Sequence, residues 1–156
     1  MAADAGPGTA PAAHRTRVVR PARRFGYLVA VLVNVLLLVL INVAPGWEAL
    51  SFLTAEFSQV VGILNLSLVA AALVNLLWMA YDPPWVRSAG QVVLSGIGLA
   101  VLLQLLDSFP FDFSGWAFDA AWLARFVLVV AAFGTAIGML VESVRLVRIL
   151  VGQQDR

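Results

Sequence analysis

Residues 25–43, FGYLVAVLVNVLLLVLINV, form an apolar run broken only by Gly26, Asn34 and Asn42. At about 1.5 Å rise per residue, roughly 20 such residues cross the ~30 Å hydrocarbon layer of a bilayer as one α-helix. Arg15, Arg17, Arg20, Arg23 and Arg24 stand directly before the run. A positive start also opens a secretory signal peptide, but the apolar core of a cleaved signal spans only about 7–15 residues. Pro45 directly after Ala44 makes a poor cleavage point as well. The run therefore reads as a retained first membrane span over about 25–43.

Upstream, residues 1–22 are mostly Ala, Gly, Pro, Thr and Arg without apolar periodicity, which predicts a disordered, Arg-rich tail. Downstream, Pro45-Gly46 opens a loop in which Trp47, Leu50, Leu53 and Phe57 recur at helical spacing, and this predicts a short helix lying in the membrane interface. A second apolar run covers about 60–81 and stops at Asp82-Pro83-Pro84; a third follows over about 86–106. So tight a turn makes these two spans antiparallel neighbours. The next connection, 107–119, carries Phe109-Pro110-Phe111-Asp112-Phe113. That alternation is too brief for a sheet of its own and predicts an aromatic loop at the bilayer surface. The last apolar run, about 122–146 with an extension towards Leu150, exceeds the hydrocarbon thickness and implies tilt or emerging turns.

The expected architecture is an all-α, four-helix transmembrane bundle: a tail at 1–22, a membrane domain at 23–151 and a polar end at 152–156. Composition agrees. Hydrophobic residues make up 62% of the 156 and charged residues 12%, with mean hydropathy +0.93, against about 45–50% and 25% in soluble domains. With no cysteine and one histidine, His14, outside the apolar runs, thiolate chemistry, iron–sulfur clusters and multi-imidazole metal or haem sites are excluded, and no cofactor is implied.

All ten basic residues are arginines. With four spans, nine fall on the side of the tail, the Pro turn and the C-terminus, and only Arg125 on the other. Positive residues accumulate on the cytoplasmic face, so both termini are expected inside, with the two aromatic, acidic loops packed together outside. Four packed helices fill their own interior and leave one copy little room for an aqueous path.

The embedded polar residues are the candidates for function. Glu142 is the most deeply set acid and would suit a proton path or a partner helix, but Arg145 three residues on favours a plain ion pair near the headgroups. Arg125, one turn inside the outer end of the last span, would clamp an outer-loop carboxylate, namely Asp119, Asp107 or Glu56, or bind an anionic lipid or substrate. The amides Asn34, Asn42, Asn65, Asn75, Gln91 and Gln104 read first as helix-to-helix hydrogen-bonding groups. Gly134 and Gly138 form a small-xxx-small motif and, with Gly96 on the third span, support packing of spans three and four or dimerisation. No P-loop, Gly-x-Ser-x-Gly elbow or His-Glu-x-x-His pair is present. The basic tail is explained by topology and anionic lipid rather than by nucleic acid.

The strings Pro45-Gly46-Trp47-Glu48, Tyr81-Asp82-Pro83-Pro84-Trp85 and Phe109-Pro110-Phe111-Asp112-Phe113-Ser114-Gly115 resemble those of small, uncharacterised four-span bacterial membrane proteins, especially of actinobacteria. The resemblance covers about 25–150 and implies this architecture and a bacterial plasma (inner) membrane, with no activity to carry over. Three readings of function follow. The first is a non-enzymatic accessory protein binding lipid, other membrane proteins or itself. The second is an oligomeric transporter or channel component using Glu142, Arg125 or the amides. The least favoured is a lipid-acting enzyme using Asp107, Asp112, Asp119 or Glu56.

Overall fold

A computed structural model describes residues 21–116 and 119–154. Four long helices carry the fold: α1 (Pro21–Asn42), α2 (Ser58–Ala80), α3 (Pro84–Ser108) and α4 (Ala120–Gln154). Each is long and apolar enough to cross a membrane, the architecture of a multi-pass membrane protein. The arginines of residues 1–20 and Arg156 lie outside the described residues. Of the expected disordered tail, Pro21 and Ala22 belong to α1. Of the polar C-terminal end, residues 152–154 continue α4.

The helices alternate in direction, and each packs on its neighbour in the chain: α1 on α2, α2 on α3, α3 on α4. No comparable contact joins α1 to α4, so the bundle is open along one side. One end holds the Asp82-Pro83-Pro84 turn, the start of α1 and the end of α4; here it is called the turn end. The two long connections form the opposite, loop end.

The loop end departs from expectation. No continuous interfacial helix forms over residues 44–57; two short 3-10 turns, Trp47–Ala49 and Ala55–Phe57, flank a tight turn at residues 50–53 and a short extended piece at Leu53 and Thr54. The peptide bond between Ala44 and Pro45 is cis, and Gly46 takes φ +82°, a backbone that L side chains rarely adopt. The left-handed backbone at Gly46 cannot propagate a helix. The extended piece pairs with the other connection instead. Leu53 and Phe111 form an antiparallel bridge, flanked by Thr54 N–H donating to Pro110 O at 3.0 Å and Asp112 N–H donating to Phe52 O at 2.9 Å. The alternation over residues 109–113 thus has a partner after all, supplied by the other loop. Pro110 is fully buried beneath it, and Phe52 stacks on Phe113 with centroids 6.4 Å apart.

Between α1 and α2, Asn42 and Asn65 exchange two amide hydrogen bonds of 2.9 and 2.7 Å. In hydrocarbon an amide has few other partners, and such bonds contribute about 0.6 kcal/mol on average, at most ~1.7. Asn65→Leu is expected to destabilise by about 1 kcal/mol. Adding Asn42→Leu is expected to recover part of that loss, read as coupling in a double-mutant cycle of unfolding in mixed micelles; strict additivity would contradict the pairing.

Candidate functional site

A lateral groove of about 850 Å³ opens between α3 and α4 towards the turn end, with Trp78 of α2 at its inner edge. The polar residues lining it are Arg87, Gln91 and Ser95 of α3 and Thr135, Glu142 and Arg145 of α4. Helical spacing makes this possible, since positions three or four apart share a face: 87, 91 and 95 on one helix, 138, 142 and 145 on the other. Ser88 Oγ, buried against α4, donates to Glu142 Oε1 at 2.5 Å. Arg145 Nη1 lies 3.7 Å from Glu142 Oε2, the i,i+3 pair that the sequence predicts. Glu142 thus bridges α3 and the end of α4, its side chain 17% exposed along the groove.

Of the two uses expected of Gly134 and Gly138, packing of α3 on α4 or dimerisation, the first is not the one they serve within the chain. Gly134 and Gly138 are exposed and line the groove, and a Cβ added to either would meet nothing within 4 Å. They do not bring α3 and α4 together. Gly96 faces Met139 at 3.8 Å, ordinary van der Waals contact. The close approach is at Gly90, where a Cβ would stand 2.8 Å from Trp78 Cζ2 and 2.9 Å from Val74 Cγ1. Gly90 therefore sets the distance between α2 and α3.

Beside the groove lies an ion cluster that sequence reasoning read only as a turn. Asp82 is partly exposed through its backbone, but its side chain is only 2% exposed. Its Oδ2 is 3.5 Å from Arg23 Nη1 of α1 and 3.8 Å from Arg87 Nη1 of α3. Tyr27 Oη donates to Asp82 Oδ1 at 3.3 Å, and its ring lies 5.6 Å from that of Trp78. Trp78 Nε1 in turn donates to Val86 O at 3.4 Å. A carboxylate out of water requires such company. The available signal was an acid held in a two-proline turn between arginine-bearing helix ends.

The remaining candidates are dispersed. Asn34 and Asn75 donate back to Ala30 O and Ala71 O of their own helices, at 2.7 and 2.8 Å, rather than across an interface. Asp119 caps α4, its Oδ1 accepting from Trp122 N–H at 3.1 Å. Asp107 is exposed. Arg125 forms none of the expected carboxylate clamps among the described residues. Its Cζ stands 4.0 Å over the ring of Phe109, which ends α3 in a left-handed conformation, φ +35°. Asp119 is committed to its helix cap, while the Phe109 face is open to the cation. Arg125→Leu is expected to destabilise by about 0.5–1 kcal/mol. Phe109→Leu made in the Arg125→Leu background is expected to cost less than in the wild type, as unfolding in micelles would register; equal costs would contradict the contact.

The loop carboxylates do not converge either. Asp112 accepts from Ser114 N–H at 2.9 Å, and that bond holds its carboxyl below the usual carboxylate range. Glu56 is engaged by Thr54. Among the described residues, no three Asp, Glu or His side chains gather as a metal site would require.

No family model, curated protein or solved structure matches the chain.

Proposed function

We propose that the chain is a non-enzymatic interaction protein of a bacterial plasma membrane, with both termini in the cytoplasm and the α3–α4 groove as its binding surface. The groove itself carries this reading. It opens sideways, where lipid and other membrane proteins are met, and joins a floor of exposed glycines to a polar end built from Arg87, Glu142 and Arg145. Small residues permit close approach of a neighbour, and polar side chains at membrane depth give it orientation. The ligand is accordingly a lipid, another membrane protein or a second copy of the chain.

Photo-crosslinking in native membranes tests this. A photoreactive residue at Thr135, in the groove, is expected to give discrete adducts that Gly138→Leu suppresses, while one at Val33, on the exposed face of α1, gives only diffuse lipid labelling. Indistinguishable labelling from the two faces would overturn the reading.

A second reading, an oligomeric transporter component, is favoured by Gln91 and Glu142 sharing one groove. A second copy would have to close the open side to make a path. Liposome flux abolished by Glu142→Gln would support this reading, and unchanged flux would remove its chemical basis.

A further inference from the structure

We infer that the groove holds an anionic phospholipid, its phosphate between Arg87 and Arg145 and an acyl chain along the floor formed by Gly134 and Gly138; this rests on the groove being the binding surface. The guanidinium groups of Arg87 and Arg145 stand at the turn end of the groove, as a charged headgroup stands at one end of a phospholipid. Deeper in, the glycine floor and the side chains of Gln91, Ser95 and Thr135 run side by side, with Gly138 nearer the turn end than Thr135 and Gly134 next to it.

Depth agrees with this placement. From Trp122, an aromatic anchor at the loop end, to Glu142 is 20 residues of one helix, about 30 Å, the thickness of the hydrocarbon. The bond from Ser88 to Glu142 brings the start of α3 to the same level, so Arg87 and Arg145 stand at headgroup depth.

Both arginines retain capacity. Among the described residues each makes a single long carboxylate contact, at 3.8 and 3.7 Å, and a guanidinium has five N–H donors suited to the paired oxygens of a phosphate. Their side chains are 32% and 57% exposed. Arg23, Arg87 and Arg145 set against Asp82 and Glu142 leave this cluster with one positive charge in excess. Basic pockets between membrane helices recognise anionic headgroups in this manner. A docked helix would use the glycine floor but gives no reason for two arginines at its mouth, and a free phosphate gives none for the floor. The volume is within the ~300–1,000 Å³ of small-ligand sites.

Native mass spectrometry of the full chain in mild detergent, titrated with equal amounts of phosphatidylglycerol and phosphatidylcholine, tests the inference. The wild type is expected to retain phosphatidylglycerol selectively. Arg145→Gln, on an exposed side chain, is expected to lower that selectivity about fivefold, and Arg87→Gln with Arg145→Gln about 25-fold, from roughly 1 kcal/mol per arginine. Arg148→Gln, at the same end but outside the groove, is expected to leave it unchanged. Gly138→Leu is expected to reduce retention of both lipids.

Absence of selectivity, an equal loss with Arg148→Gln, or displacement by an equal concentration of inorganic phosphate would each overturn the inference. If selectivity is absent while the Thr135 adducts persist and identify a protein, the lipid assignment falls and the interaction reading stands. If both are absent, both fall.

Discussion

Gly90→Ala is expected to destabilise the protein by about 1–3 kcal/mol, the usual cost of forcing extra volume into a packed interface. The new methyl would stand 2.8 Å from Trp78 Cζ2 and 2.9 Å from Val74 Cγ1. Trp78 has little freedom to yield. It is 7% exposed, bonded through Nε1 to Val86 O and set against the Tyr27 ring. Because Tyr27 in turn touches Asp82, the disturbance is expected to reach α1 as well as the α2–α3 contact. Gly98→Ala is the matched control: its Cβ would meet nothing within 4 Å, and removing a helical glycine favours the helix. The pair is to be compared by unfolding in mixed micelles with tryptophan emission as the probe. Equal midpoints for the two variants would mean that α2 and α3 do not approach at Gly90.

Arg23→Gln combined with Arg87→Gln is expected to cost about 2 kcal/mol, below the ~3–5 kcal/mol of a fully buried broken pair because both arginines are partly exposed. The loss arises chiefly from Asp82, left in a site where its side chain is 2% exposed with, among the described residues, only the Tyr27 hydroxyl as partner. Adding Asp82→Asn removes the stranded charge and is expected to restore most of the stability. Arg24→Gln, whose side chain is exposed, is expected to change it by less than about 0.5 kcal/mol. If the triple variant is no more stable than the double, Asp82 is not the buried charge at the centre of this cluster.

The four helices were legible because length and apolarity alone identify a membrane span, and Pro83-Pro84 could only be a turn. Rotation of each helix about its own axis was not legible. A helix apolar on all sides carries no stripe to mark its inner face, so Gly90, Gly96, Gly134 and Gly138 look alike in sequence. One sets a helix–helix distance, one makes ordinary contact, and two face open space. The same ambiguity divides the asparagines: Asn42 and Asn65 meet across α1 and α2, while Asn34 and Asn75 turn back on their own helices.

Local charge spacing fared better than distant spacing. The pair formed by Glu142 and Arg145 follows from helical geometry, but Ser88, more than fifty positions away, required the packing of α3 on α4 to be known. Arg125 shows how counting charges misleads at a membrane surface, because acids are not the sole partners of a cation there and an aromatic ring serves as well. At the loop end, the alternation over residues 109–113 was too short to interpret without residues 52–54, with which it pairs.

The groove can meet lipid with its arginines at headgroup depth only if the chain crosses the membrane four times with the arginine-rich ends on one side. The chain has no cysteine, so single substitutions give clean sites for an impermeant maleimide applied to intact cells and again after permeabilisation. Glu48→Cys and Ser114→Cys are expected to label in intact cells, and Arg24→Cys and Gly152→Cys only after permeabilisation. Labelling that puts residues 24 and 152 on opposite sides of the membrane, or that reaches residues 24, 48, 114 and 152 alike in intact cells, would contradict the four-span topology.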